Sequence, residues 1–479
     1  MRNLFPTSTS RPLATLALLL AAGAAPAQTP ASFGAVSTYS TGAGSNPASI
    51  AVADVNGDGR PDLVTANNSS SGTAGVLLGQ AGGGFAPINS YPAGGSNTYG
   101  IAVADVNGDG RLDIVTVNRQ SNTAGVLLAQ AGGGFAPVSS YSTGTSSSPL
   151  GIAVADVNGD GRPDLLTASI GSNAVGVLLG QAGGGFAPVS NYSTGANSNP
   201  YSIAVGDING DGRLDLVTAN SSNSTAGVLL GLAGGSFAAV SSYSTGIFSG
   251  PVSIAVADVN GDRRLDIVTA NPGSATAAVL LAQAGGGFAL VNSYTTGASS
   301  FPQGIAVADV NGDGRPDLLT ANCSSKAVGV LLGLAGGGFA PVSNYSTGPS
   351  SLPQGIAVAD VNGDGRPDLV TANDNNNTVS VLLNTGTFTP LAAAPTTPAN
   401  DVVLFPNPAH GGFAVQLPAA WGASSAQAEL RNALGQEMTL QVWSGRGAFI
   451  FATEGLAPGV YVLRVQAAGK TLLRRVVLN

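Results

Sequence analysis

Histidine occurs once in the 479 residues, at position 410, and cysteine once, at position 323. A single cysteine can form no intrachain disulfide, and Cys323 lies in a polar turn where a bystander role is expected. Between residues 28 and 400 there is neither His nor Glu, so that stretch can hold no Ser-His-Asp or Cys-His arrangement. No basic stripe is present, which argues against nucleic-acid binding. Charged residues make up only 9% against 43% hydrophobic, too apolar a mixture for disorder; with 69 glycines it is also too interrupted for membrane spans.

What charge there is has a pattern. The chain has 26 acidic residues, and all but five stand in one recurring motif; the exceptions are Asp374, Asp401, Glu429, Glu437 and Glu454. The motif first runs Asp54-Val55-Asn56-Gly57-Asp58-Gly59-Arg60-Pro61-Asp62 and returns at Asp105, Asp156, Asp207, Asp258, Asp309 and Asp360, always 51 residues on. A fixed period of that size marks a repeat architecture. Residues 28–400 hold 22 acids against ten bases, a net of −12 that seven divalent cations would bring to +2. The acidity therefore reads as metal ligation and not as a surface for a basic partner.

Oxygen-bearing side chains fall at loop positions one, three, five and nine: Asp54, Asn56, Asp58 and Asp62. Gly57 and Gly59 allow the tight turn that lets them converge, and the carbonyl of Arg60 can add a further ligand. A hard-oxygen set suits Ca2+ far better than zinc or copper, which would want His or Cys. It is not an EF-hand, because position twelve is Thr65 where a bidentate Glu would be needed. A metal-free Asx turn needs one such side chain, not three crowded carboxylates in every copy.

The loop and its period resemble the FG-GAP/VCBS repeat family, integrin α-like seven-bladed β-propellers with Ca2+ in a nine-residue loop of the blade; the likeness spans residues 33–390. Carried over position by position, it implies as ligands Asp105, Asn107, Asp109 and Asp113; Asp156, Asn158, Asp160 and Asp164; and Asp207, Asn209, Asp211 and Asp215. It likewise implies Asp258, Asn260, Asp262 and Asp266; Asp309, Asn311, Asp313 and Asp317; and Asp360, Asn362, Asp364 and Asp368. That makes up to seven Ca2+ ions. In the fifth copy Arg263 replaces the glycine at position six, so the Asp258 site is expected to be the weakest.

Each repeat reads as four short strands. In the second copy these are Gly100–Val106, Asp113–Asn118, Ala124–Gln130 and Phe135–Tyr141, separated by polar turns. Seven such units describe an all-β propeller better than a solenoid, since no capping repeat is evident. Residues 33–42 copy a fourth strand ahead of the first loop, so the N-terminus is expected to complete blade 7 and close the ring. Alternation then puts the acidic loops on one face and the most variable loops on the other, where Tyr99, Tyr201, Phe248 and Phe301 would stand as exposed aromatics.

The two ends differ from the repeats. Arg2 and Arg11, an apolar run from Leu13 to Ala22 and Ala25-Pro26-Ala27 form a secretory signal peptide over residues 1–27. No transmembrane segment is expected in the mature chain. The propeller is assigned to 28–390, an Ala/Pro/Thr-rich linker to 391–400 and a small β-sandwich to 401–479. That last segment resembles the type A C-terminal sorting domain of the type IX (Por) secretion system. The resemblance rests on Leu404-Phe405-Pro406-Asn407-Pro408, Asn432-Ala433-Leu434-Gly435, Leu456 to Tyr461 and the close at Lys470 to Asn479, with Phe405 where Tyr is common. It implies recognition by the type IX machinery and delivery to, or release from, the surface of a Gram-negative bacterium.

Together these features predict a secreted or cell-surface, non-catalytic Ca2+-binding module for adhesion or recognition, with a glycan or protein ligand on the face opposite the metal loops. A polysaccharide lyase or hydrolase on the same scaffold is the alternative, though its two carboxylates would have to be borrowed from the loops. A structural surface-layer protein is the third.

Overall fold

The computed structural model describes residues 30–386 except 183 and 336, and beyond them eight strands between 403 and 478. The stretches read as signal peptide (1–27) and linker (391–400), and His410, lie outside the described residues. The chain divides into two compact units, Met1–Phe388 and Thr389–Asn479. Among the described residues there is no helix, hence none long and apolar enough to cross a membrane.

The first unit is a seven-bladed β-propeller. Blade 1 consists of Pro47–Ala53, Asp62–Asn67, Thr73–Leu77 and Asn89–Pro92, paired in that order and antiparallel. The sequence dictates which strand goes where. Asp-Leu-Val-Thr-Ala-Asn is buried at all six positions because it lies mid-blade with a neighbouring blade on each face. The outermost strand, Asn-Ser-Tyr-Pro, is exposed but for its tyrosine. Blades meet through one apolar cluster per interface. Leu63, Leu77 and Phe85 of blade 1, for example, pack on Val370, Val379 and Val381 of blade 7. A fully buried Leu or Phe contributes about 1.5–3 kcal/mol, so these interfaces hold the ring together. Each also carries one edge-to-face Tyr–Phe pair, such as Tyr141 with Phe186 at 5.2 Å.

The ring closes as expected. Ser37–Ser40 is the outer strand of blade 7, antiparallel to Thr378–Leu382, with Ser37 opposite Val381. Gly34 N–H to Leu383 O and Thr385 N–H to Ser32 O, both 2.8 Å, extend the seam.

Strand boundaries in blade 2 differ from expectation: the first strand is Thr98–Ala104, not Gly100–Val106, and the third is Thr123–Leu127, not Ala124–Gln130. The fourth strand of blade 2 is Ser139–Ser142, not Phe135–Tyr141. Phe135 makes only an isolated bridge to Ala129 and the ladder resumes at Ser139; blades 4 and 5 show the same gap with Ala239 and Leu290 in place of Pro137. In the second unit, the neighbouring strands Glu437–Met438 and Val442–Gly445 belong to different sheets. That unit has two four-stranded antiparallel sheets, one of which pairs buried Leu430 with buried Leu463.

Candidate functional site

All seven acidic loops fold alike, between the first and second strands of their blades. In blade 1, Asp54 Oδ1 accepts from Gly57 N–H and Asp58 N–H at 2.8 and 3.0 Å, and Oδ2 from Gly59 N–H at 2.7 Å. Asn56 Oδ1 also accepts from Asp58 N–H, while its amide donates to Asp58 Oδ2. The Arg60 guanidinium pairs with Asp58 and donates through Nε to Gly79 O, tying the loop to the hairpin between strands three and four. Asp62 is fully buried: Oδ2 accepts from Val55 N–H and Oδ1 from Gly79 N–H.

Position nine carries an electrostatic load. Burial pushes the carboxyl of Asp62 up; the Gly79 and Val55 N–H groups oppose that, and the charges of Asp58 and Asp54 add to it. Asp113, Asp164, Asp215, Asp266 and Asp368 are raised as well, with burial the largest cause in each. The most buried, Asp317, is raised to about 7. At Asp58 burial also works against the charge, but the Asn56 amide and Arg60 outweigh it and hold the carboxyl below its usual range.

Three carboxylates and one amide oxygen within nine residues fit a hard divalent cation by donor chemistry, and such an ion would relieve the repulsion felt at position nine. In this arrangement the position-one carboxylates hold backbone N–H groups and the position-five carboxylates hold arginines. Among the described residues no group of three or more acidic, His or Cys side chains is gathered as a metal site. The fifth loop keeps the common geometry, since Arg263 N–H donates to Asp258 Oδ2 at 2.7 Å as the glycines do, but it does so at φ +68°. The loops also touch the next blade. An added Cβ at Gly235 of blade 4 would lie 2.8 Å from Asn158 Cβ in the blade 3 loop.

On the opposite face, Phe248 is 87% and Phe301 46% exposed, as expected. Tyr99 and Tyr201 are not exposed rim aromatics: both are half-buried and line a cavity of about 170 Å³ at the mouth of the central channel. A bulge between Thr98 and Gly100 interrupts the ladder there, and one between Pro200 and Ser202 does so at Tyr201; such irregularities re-aim the side chain. Arg119, Asp374 and Cys323, which the sequence scatters over turns of different blades, all act electrostatically on Tyr99.

A second feature missed in the sequence is a buried Thr–Ser pair shaping the loops into six of the blades, as in Thr143 with Ser147 at 2.7 Å. The recurring Thr-Gly with Ser three residues on would have revealed it.

Several solved structures share the fold. A virginiamycin B lyase from Staphylococcus aureus aligns with a TM-score of 0.51 at 15% identity, over 73% of this chain and 99% of the lyase. A periplasmic gluconolactonase from Pseudomonas aeruginosa gives 0.50 at 16%, over 71% and 98%. BBS1N, solved in complex with ARL6DN, gives 0.50 at 12%, over 75% and 98%. At these identities the likeness is one of fold alone. No curated protein matches the sequence. Residues 403–479 match the secretion system C-terminal sorting domain, which marks the protein for export to the outer cell surface. FG-GAP-like repeats match eight stretches from 27–65 to 360–409, most running from one acidic loop to the next. The chain belongs to the FG-GAP-like repeat family.

Proposed function

We propose that this exported propeller is a calcium-stabilised, non-catalytic recognition module that receives a glycan or protein ligand on the face opposite the acidic loops. One observation supports it above all: every carboxylate among residues 30–386 except Asp374 belongs to an acidic loop, and those loops bind backbone N–H groups or arginine. That leaves no paired acid and base for turnover, while the opposite face carries the residues that differ from blade to blade. Sharing a fold with a lyase and a lactonase supplies no such pair. Ca2+ would be held by Asp54, Asn56, Asp58 and Asp62 and their counterparts, and would offset the negative charge of the loops.

Two measurements test this. Adding a chelator should lower the melting temperature by about 5 °C or more, since an ion bound only by the folded state stabilises it; an unchanged curve removes calcium from the proposal. A glycan array and a surface-protein pull-down, both in millimolar calcium, should give saturable hits. Turnover of a polysaccharide by the pure protein would replace the reading with the enzymatic one.

A further inference from the structure

The seven first strands pack side by side around the axis, each touching the first strands of both neighbouring blades. They approach so closely that a Cβ added at Gly355 would sit 3.0 Å from Ser49 Cα, and one at Gly304 would sit 2.8 Å from Gln354 O. The repeat tolerates only Gly or Ser at that position and holds Ile-Ala-Val after it, in every blade. The residue just before is free of that constraint, and it varies: Ala48, Tyr99, Leu150, Tyr201, Val252, Gln303 and Gln354. All seven line the same cavity at the channel mouth, together with isoleucines such as Ile50, Ile101 and Ile305.

Three properties of this cavity identify a class of ligand. None of its lining residues is charged, so the wall itself offers an entering ion no partner for the water it would lose. Two phenol rings offer flat apolar faces with polar tips. Among the described residues the hydroxyls of Tyr99 and Tyr201 and the amide of Gln303 have no side-chain hydrogen bond within the protein, and the Gln354 amide has only a 3.9 Å contact to Cys323 Sγ. All four residues are half-buried, so a guest entering the cavity can reach these donors and acceptors.

Resting on the recognition reading, we propose that the channel mouth is a binding site for a neutral sugar ring, stacked against Tyr99 or Tyr201 and hydrogen-bonded by Gln303 and Gln354. The apolar isoleucines limit entry to one ring, so the terminal unit of a chain is what enters.

The full exported chain, labelled with 3-fluorotyrosine and kept in calcium, can be titrated by NMR with D-glucose, D-galactose, D-mannose, L-fucose and N-acetyl-D-glucosamine separately. At least one sugar should shift the Tyr99 and Tyr201 signals saturably, those signals being assigned with Tyr99→Phe and Tyr201→Phe. Replacing both glutamines by Ala should weaken binding about tenfold, the value of two net hydrogen bonds. Phe248→Ser, on an outer loop, should leave it unchanged. No shift with any of the five sugars, or a shift that the double glutamine variant leaves intact, overturns the site. Array binding that survives the glutamine changes but is lost in Phe248→Ser also overturns it, while sparing recognition by the outer loops. Tyrosine shifts without any array or pull-down hit would sustain the site and sink the wider recognition reading.

Discussion

Gly79 donates its backbone N–H to Asp62 Oδ1 at 2.7 Å, and that bond joins the acidic loop to the hairpin on the far side of the same blade. The other carboxylate oxygen takes Val55 N–H at 3.0 Å. The arrangement recurs at every position nine, ending with Asp368, Asn384 and Val361. Position nine thus has a structural duty independent of any ion, whereas position five faces solvent and an arginine.

This separates two substitutions that sequence spacing alone would treat alike. Asp62→Asn leaves one of two buried N–H groups facing another donor, a loss of about 1–3 kcal/mol that is already present in chelator. Asp58→Asn disturbs only solvent-facing contacts in the metal-free protein, those with Arg60 and the Asn56 amide, so its main effect should emerge when calcium is present. Denaturant unfolding of both variants, with and without chelator, measures this. Equal losses for the two variants in chelator would contradict the division of labour.

The fifth loop permits a gain. Arg263 has φ +68°, in a left-handed region that costs a bulky side chain about 1 kcal/mol and glycine almost nothing. Arg263→Gly should therefore raise stability by roughly that amount, and should bring calcium affinity at this loop up to that of its neighbours. Thermal unfolding and calcium titration of the variant check both effects. Unaltered stability would mean that the loop relaxes to avoid the strain.

The 51-residue period, the loop and the four-stranded blade were legible because each repeats one local rule seven times. Ring closure was legible too, since residues 33–42 copy a strand that the last repeat lacks. The arginine at position seven could have been seen, as Arg60 has counterparts in all seven loops, but spacing suggested its carbonyl and not its guanidinium. The channel mouth was not legible. Tyr99 and Tyr201 precede Gly and Ser in what looks like loop, whereas the structure puts both on first strands at bulges in the ladder, lining the channel mouth. Residues far apart in sequence meet there because the ring closes, and no local pattern carries that information.

Closure itself can be weighed by comparing two tyrosines in equivalent places. Tyr39, from the N-terminal strand, meets Phe85 at 5.2 Å and 83°; Tyr192, from a strand continuous with its own blade, meets Phe237 at 5.2 Å and 81°. Their local contacts are the same, so Tyr39→Ala and Tyr192→Ala should destabilise a closed ring equally, each by about 2–4 kcal/mol. The difference lies in how each strand is held. Tyr192 stays in its blade even if the ring opens, but Tyr39 reaches Phe85 only while Ser37–Ser40 remains paired with Thr378–Leu382. A closure that frays in solution would make Tyr39→Ala nearly silent and leave Tyr192→Ala costly. Chemical denaturation of the two variants side by side decides it, and matched losses mean that the noncovalent seam holds as firmly as the covalent connections between the other blades.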